Sequence, residues 1–227
     1  MSRPYLKIGH RGFPKEAPGN TMAGFRAAHR LGCHWVECDC CPTKDGVIVL
    51  SHDDRVKDAS GREYRIEEHT AAELAKLDLG RGEGVPTLAE LVAWAVGRVG
   101  IMADVKCSGY EREIGDALLP IAVKDKVAPG ADDEARGRFR CFHPTLPISL
   151  SLGADRAAEL DRRIPDLDTD AVTPQHPLVT PERMAALHAR GLKVYAWTVD
   201  DLPTMRRLLE LGVDGIISNR ADLLAEL

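Results

Sequence analysis

Two carboxylate residues stand two positions apart in a segment whose residues favour a β-strand. Because side chains alternate along a strand, Glu37 and Asp39 would share a face and repel each other unless a cation lay between them. Asp104 ends a later predicted strand and adds a third oxygen ligand, a set that suits Mg²⁺ or Ca²⁺, and also Mn²⁺. The sequence therefore predicts a divalent-metal site. Salt bridges from the three acids to Arg11 and Lys106 are the alternative.

Two histidines also stand at the ends of predicted strands. Histidine exchanges a proton near neutral pH, so His10 and His52 could serve as general acid and general base on the two sides of a scissile bond. Packed or solvated histidines are the alternative. Arg11 and Lys106 suit a phosphate, because a guanidinium binds two oxygens at once and an ammonium acts as a point charge.

Short apolar runs alternate with helical stretches along the chain. We predict strands over residues 5–9, 35–39, 47–50, 101–105, 148–152, 171–172, 192–197 and 215–217, and helices over 21–31, 86–95, 110–123, 133–142, 181–189, 203–211 and 221–227. About eight strand–helix units predict an α/β fold with parallel strands, either an open doubly wound sheet or a closed (β/α)8 barrel. The barrel is favoured, because catalytic groups of such barrels follow their strands.

The segment over residues 53–85 departs from this alternation. It is charged and poor in apolar runs, and we predict an excursion from the scaffold with one helix near 70–77. Neither a low-complexity linker nor an internal repeat divides the 227 residues, so residues 1–227 are predicted to form a single domain.

Composition limits the partners and the compartment. The net charge is −5 with no basic patch, so nucleic acid is not expected, whereas a homo-oligomer remains compatible with the sequence. We expect no signal peptide and no membrane span. The six cysteines lack the usual spacing of a zinc site, and free core-packing thiols are favoured over metal ligands. Together these features predict a cytoplasmic protein.

The motifs, taken in order, resemble the glycerophosphodiester phosphodiesterase family. The matching segments span nearly the whole chain, least clearly over 124–180, and comprise residues 10–12, 18–21, 37–39, 43–46, 52–53, 86–90, 104–106, 197–199 and 211–217. The resemblance implies a (β/α)8 (TIM) barrel with a small insertion after the second strand, where the 53–85 excursion lies. It also implies hydrolysis of a small-molecule glycerophosphodiester to an alcohol and glycerol 3-phosphate.

The resemblance also implies a role for each candidate residue. A divalent metal would be held by Glu37, Asp39 and Asp104, with His10 and His52 as general acid and base. In that scheme the glycerol 2-hydroxyl attacks phosphorus, and water opens the resulting cyclic phosphate.

The resemblance also gives Arg11 a catalytic role and assigns three residues to substrate binding. Arg11 and the metal would neutralise charge that develops on the phosphate oxygens, and Lys106 would contact the phosphate. Trp197 would line the glycerol side of the pocket, and Asn20 joins the substrate-binding set.

Two positions depart from the family pattern. Gly19 stands where the family usually has Glu, which removes a negative charge unless Glu16 reaches the same space. Asp104 stands where the family more often has the longer Glu. Two further functions therefore stay open: a phosphodiesterase for another diester, such as a lysophospholipid or a sugar phosphodiester, and a non-catalytic phosphate- or metal-binding barrel.

Overall fold

The computed structural model describes residues 4–130 and 133–227. Its strands are β1 (Leu6–Gly9), β2 (Trp35–Pro42), β3 (Ile48–Leu50), β4 (Arg55–Lys57), β5 (Glu63–Arg65), β6 (Gly100–Val105), β7 (Lys126–Gly130), β8 (Ile148–Leu152), β9 (Ala171–Pro174), β10 (Lys193–Ala196) and β11 (Gly215–Ser218). Eight of these strands are parallel and lie in the order β1-β2-β6-β7-β8-β9-β10-β11. Because β1 pairs with both β2 and β11, the sheet closes, which confirms the predicted (β/α)8 barrel.

Most helices cover the outer face of the barrel, and one short helix lies in the charged segment over 53–85. They are α1 (Met22–Arg30), α2 (Ala71–Leu74), α3 (Leu88–Ala95), α4 (Glu111–Ala117), α5 (Asp133–Phe142), α6 (Ala157–Arg163), α7 (Pro181–Ala189), α8 (Leu202–Glu210) and α9 (Ala221–Ala225). Thr87 caps α3 and forms a reciprocal capping box with Glu90. Thr21 caps α1 by accepting the backbone N–H of Gly24.

Large side chains close the amino-terminal half of the barrel interior. Trp35, Met102, Tyr195 and other residues of the barrel strands form a separate inner cluster of buried side chains. Gly100 makes room for the indole, since a Cβ at that position would lie 2.3 Å from ring atoms of Trp35. The interior is thus a packed floor, and open space remains only toward the carboxyl ends of the strands, which we call the mouth.

One barrel strand escaped prediction. A helix was predicted over residues 110–123, whereas α4 ends at Ala117 and β7 follows as the fourth strand of the barrel. The residues of β7 do not show the usual pattern of a buried strand, because a cation (Lys126) and a residue without an N–H (Pro129) are both unusual there. Lys126 is tolerated because its Nζ donates to the carbonyl of Leu118 at 2.9 Å. Helix α6 was missed as well.

The predicted strand over 47–50 exists as β3, but it is not a barrel strand. It runs antiparallel to the distal half of β2, with Cys40 opposite Leu50, and forms a hairpin around the turn at Asp45 and Gly46. Gly46, with φ of 75°, supplies the left-handed residue of that turn. The backbone N–H of Ser51 then donates to the carbonyl of Asp39 at 2.9 Å, which brings the chain back to the mouth.

The charged segment over 53–85 folds above this hairpin. It contains the β4–β5 ribbon, a single 3₁₀ turn at Ile66–Glu68 and the short α2. A small cluster of apolar residues joins it to the hairpin: Cys41, Val49, Val56, Ile66, Leu74 and Val85.

All six cysteines lie in the described part of the chain and are free, as predicted; four are buried, Cys107 is half-buried and Cys141 is exposed. Among residues 4–130 and 133–227, no helix is long and apolar enough to cross a membrane.

Candidate active site

A cavity of about 200 Å³ opens at the mouth of the barrel. Seven of the predicted site residues line it: His10, Arg11, Glu37, His52, Asp104, Lys106 and Trp197. Asp39 and Asn20 lie directly behind its wall and are fully or almost fully buried. The barrel therefore brings all nine predicted residues to one place, although they are scattered over most of the sequence.

The three acids form a compact cluster. Asp39 is paired with Asp104 in the register of β2 and β6, and carboxylate oxygens of Glu37, Asp39 and Asp104 lie within 4.8 Å of one another. Burial raises the pKa of Glu37 well above its ordinary value, and the charges of Asp39 and Asp104 raise it further. Burial likewise raises the pKa of Asp104. A cation would relieve both effects, because it favours the ionised carboxylates.

Two side-chain cations already contact this cluster. Lys106 Nζ lies 2.5 Å from Asp104 Oδ2 and 2.9 Å from Asp39 Oδ1, and Arg11 Nε lies 3.1 Å from Asp39 Oδ2. Burial alone would lower the pKa of Lys106, but Asp104 and Asp39 outweigh it and raise that pKa. The salt bridges that the sequence offered as an alternative to a metal are therefore present.

The cluster nevertheless fits a divalent metal. Three carboxylates face two side-chain cations, and within the described ranges the hydrogen bond that Glu37 accepts comes from the backbone N–H of Arg11, at 2.9 Å. Asp39 Oδ1 is buried, and its partner is the ammonium of Lys106 at 2.9 Å. Hard, crowded oxygen atoms of this kind are ligands for Mg²⁺ or Ca²⁺. The acidic cluster can thus hold a divalent cation.

Asn20 holds one of these acids in place. Its Nδ2 donates to Asp39 Oδ2 at 2.8 Å, and its Oδ1 accepts the backbone N–H of Asp39 at 3.1 Å. Burial acts to raise the pKa of Asp39, but Lys106, Asn20 and Arg11 together lower it. In this structure the amide of Asn20 is committed to Asp39, so its predicted contact with substrate remains a prediction.

The two histidines reach the cavity by different routes. His10 follows β1, and its Nε2 lies 3.8 Å from Glu37 Oε2. Its pKa is lowered, mainly by burial and also by the charge of Arg11. His52 follows the antiparallel β3, so the hairpin rather than a barrel strand brings it to the mouth. His52 Nδ1 lies 2.8 Å from Asp53 Oδ1. The other ring nitrogen, Nε2, does not contact Asp53.

Other cavity residues were not predicted. Ser151 and Thr173 stand near the ends of β8 and β9 and line the wall together with Met102 and Thr198. The alternation of Ser and Leu in β8 was an available signal, since it turns Ser149 and Ser151 to the same side. Trp197 was predicted, and its Nε1–H donates to the carbonyl of Thr173 at 2.7 Å, which fixes the indole against this wall.

The position of the missing glutamate lies beside Arg11. A Cβ on Gly19 would lie 3.3 Å from Arg11 Cβ and 3.6 Å from Arg11 Cδ. Glu16 does not replace the missing carboxylate here, because its Oε1 accepts a hydrogen bond from Arg30 at 2.5 Å on the protein surface.

Fold and site together define a (β/α)8-barrel enzyme with an acidic centre suited to a divalent cation. The model of the glycerophosphoryl diester phosphodiesterase family matches residues 10–223. The chain therefore belongs to that family of phosphoric diester hydrolases, as its motifs indicated.

Relatives with assigned names agree. The chain is 31% identical over 237 residues to a probable glycerophosphodiester phosphodiesterase of Mycobacterium tuberculosis, covering 97% of this chain and 89% of the relative. The crystal structure of a Silicibacter pomeroyi protein named putative glycerophosphoryl diester phosphodiesterase matches with a TM-score of 0.86 at 26% identity, covering 97% and 91% of the two chains. An Oleispira antarctica phosphodiesterase in complex with its product sn-glycerol-3-phosphate matches with a TM-score of 0.83 at 25% identity, covering 97% and 95%.

Proposed function

We propose that this protein hydrolyses a glycerophosphodiester to an alcohol and glycerol 3-phosphate with the help of a divalent cation. The observation that carries the proposal is the convergence of three carboxylates, two histidines, Arg11 and Lys106 on one cavity at the barrel mouth. The relative from Oleispira antarctica, which binds sn-glycerol-3-phosphate as its product, supports the choice of substrate.

Each charged residue has a place in this reaction. A cation bound by Glu37, Asp39 and Asp104 would supply positive charge beside the phosphate, and Mg²⁺ or Ca²⁺, with Mn²⁺ as a third candidate, fits oxygen ligands. Arg11 and Lys106 line the same cavity and offset charge that develops on the phosphate oxygens.

The histidines move the protons. Burial lowers the pKa of His10 and favours its neutral form, so His10 Nε2 can accept the proton of the attacking glycerol 2-hydroxyl. His52, whose Nδ1 faces the carboxylate of Asp53, is suited to carry a proton to the leaving alcohol. Opening of a cyclic phosphate by water then requires the two histidines to exchange roles.

The pocket also limits the substrate. Its volume of about 200 Å³ suits a glycerol phosphate group, and the partly exposed His52 would stand on the side of the leaving alcohol. The six free thiols favour a reducing compartment, in line with the cytoplasmic location expected from the sequence.

Assays of the purified protein with glycerophosphocholine, glycerophosphoethanolamine and glycerophosphoglycerol, each with Mg²⁺, Ca²⁺ or Mn²⁺, test the proposal. We expect release of glycerol 3-phosphate, detected with glycerol-3-phosphate dehydrogenase. Release of phosphocholine in place of choline would contradict the proposed bond cleavage. Cleavage of a lysophospholipid or a sugar phosphodiester but of no glycerophosphodiester would favour the second phosphodiesterase function.

Histidine variants distinguish an enzyme from a binding module. His52→Ala is expected to lower kcat by about 10²- to 10⁴-fold, the usual contribution of a general acid. Binding of glycerol 3-phosphate, measured by calorimetry, should persist in this variant. His29→Ala is the matched control, since His29 is exposed on α1. Binding by the wild type without turnover would indicate the non-catalytic barrel.

A further inference from the structure

Behind His10 lies a chain of two polar residues that the proposed reaction has not used. His10 Nδ1 lies 2.7 Å from Asn219 Oδ1, and Asn219 Nδ2 donates to Asp200 Oδ2 at 2.8 Å. Asp200 Oδ1 also accepts the backbone N–H of Asn219 and the hydroxyl of Ser218, each at 2.9 Å. The carboxylate of Asp200 thus fixes both the backbone and the side chain of Asn219.

Three adjacent barrel strands bring these residues together. His10 follows β1, Asn219 follows β11 and Asp200 stands beyond β10. The backbone N–H of His10 donates to the carbonyl of Ser218 at 2.9 Å, which extends the β1–β11 ladder to the residue before Asn219. The backbone N–H of Val199 donates to the carbonyl of Ile217 at 3.0 Å, which continues β10 in the same way. The arrangement is therefore part of the barrel and does not depend on a long loop.

The direction of each hydrogen bond follows from chemistry. An ionised carboxylate can only accept, so the amide group that faces Asp200 must be the NH₂ of Asn219. The side-chain oxygen of Asn219, Oδ1, must then face His10. Because this oxygen can only accept, His10 Nδ1 must carry a proton. In a neutral imidazole the other nitrogen, Nε2, then carries the lone pair, and it points toward Glu37 and the cavity.

We propose that Asn219, held by Asp200, is a positioning residue that keeps His10 in the Nδ1–H form with the Nε2 lone pair facing the cavity. This inference rests on the proposed function, in which His10 Nε2 accepts the proton of the attacking hydroxyl. An amide suits this task, because it orients the ring without adding a charge beside it. His52, in contrast, has the carboxylate of Asp53 as its direct partner.

Three variants test the chain of contacts. Asn219→Leu removes both polar atoms of the amide at similar volume. Asp200→Asn removes the charge that orients the amide and keeps the shape. The double variant Asp200→Asn with Asn219→Asp exchanges the two groups, so that a carboxylate again accepts from His10 Nδ1 and from the amide at position 200. Asp201→Asn is the control, because it removes a neighbouring charge yet can still cap α8, as Asp201 does through the backbone N–H of Thr204.

Two measurements are made on each folded variant, in the presence of Mg²⁺. Two-bond ¹⁵N–¹H correlation spectra of the histidine rings identify the tautomer of His10, with His10→Gln used for assignment. Steady-state kinetics with a glycerophosphodiester separate kcat from KM.

We expect the Nδ1–H form in the wild type and the control, and a large population of Nε2–H in Asn219→Leu. The kcat of Asn219→Leu should fall by about 10- to 100-fold with little change in KM, the usual effect of removing a residue that orients a functional histidine. For Asp200→Asn, both the Nε2–H population and kcat should lie between those of the wild type and those of Asn219→Leu. The double variant should regain the Nδ1–H form and most of the lost kcat.

An Nε2–H form in the wild type would overturn the proposal, as would a folded Asn219→Leu variant with wild-type tautomer and kcat. The spectra need no turnover. A wild type that cleaves no glycerophosphodiester would refute the proposed function, whereas the tautomers would still decide the role of Asn219.

Discussion

Two hydrogen bonds join Asn20 and Asp39. Asn20 Nδ2 donates to Asp39 Oδ2 at 2.8 Å, and the backbone N–H of Asp39 donates to Asn20 Oδ1 at 3.1 Å. Asn20 adopts a left-handed conformation with φ of 60°, which asparagine tolerates better than most residues. The loop after β1 is thus tied to the acidic cluster of β2 and β6, and the orientation of Asp39 depends on a residue 19 positions earlier.

Replacing Asn20 tests this connection. In Asn20→Asp a second carboxylate would face Asp39, and we expect the free energy of unfolding to fall by about 1–3 kcal/mol, because a buried donor is lost. Activity should fall by about 10- to 100-fold, as for other residues that orient a metal ligand. Urea denaturation and kinetics measure the two effects. In Asn20→Gly the backbone keeps its φ without strain, so a loss there reports the side chain alone. Unchanged activity in both variants would contradict the role assigned to Asn20.

Removing the metal with EDTA and replacing a proposed metal ligand should both abolish activity. Glu37→Gln keeps an oxygen that accepts the backbone N–H of Arg11 but loses its charge, so we expect activity to vanish, as it should in EDTA. Titration of Mn²⁺ by electron paramagnetic resonance should show weaker binding in this variant. Glu16→Gln, which alters a surface pair with Arg30, is the control. Activity that survives both EDTA and Glu37→Gln would refute the metal assignment.

Acid should weaken a different part of the barrel. Asp214 binds Lys193 at 3.0 Å and His188 at 3.0 Å; burial alone would raise its pKa, but these partners lower it. A lowered pKa in the folded state stabilises the protein above the ordinary value for Asp, and this contribution is lost as pH falls through the folded pKa.

At pH 7, Asp214→Asn should therefore lower the free energy of unfolding by about 1–3 kcal/mol, and the difference from wild type should shrink steadily below about pH 4. Denaturant unfolding of both proteins at several pH values measures this difference in the free energy of unfolding. Asp161→Asn, which alters an exposed pair with Arg183, should cost at most about 1 kcal/mol. A difference that does not depend on pH would contradict this account of Asp214.

Restoring a carboxylate at position 19 tests the departure from the family pattern. A new Cβ would lie 3.3 Å from Arg11 Cβ, so Arg11 must shift by a few tenths of an ångström to make room for a side chain. In Gly19→Glu we expect the Mg²⁺ concentration for half-maximal activity to fall, since a further negative charge favours a cation. Gly19→Gln has a similar size without the charge. Equal metal dependence in both variants would show that the charge is not the cause.

Residue patterns predicted the barrel and most of its mouth because both have local signatures. Glu37 and Asp39 share a strand face by alternation alone, and the apolar runs mark most barrel strands. Strand β7 was missed because Lys126 and Pro129 break its pattern, and Lys126 is acceptable only through a distant carbonyl that local patterns cannot reveal.

The supporting residues were equally hidden. Asn219 and Asp200 owe their position to the closure of the sheet, which places the ends of β10 and β11 beside His10. The path of His52 also depends on pairing: the strand before it was predicted, and its register with β2 shows that it runs antiparallel to the barrel strands.

Because of this hairpin, two different parts of the chain form the two walls of the mouth. One wall consists of barrel strands, whose register cannot shift without disturbing the whole ring. The other wall, with His52, is carried by β3 and by the segment that follows it, joined to the barrel through its own small cluster of apolar side chains. A change in the length of that segment would alter the surroundings of His52 and leave the acidic centre on β2 and β6 as it is.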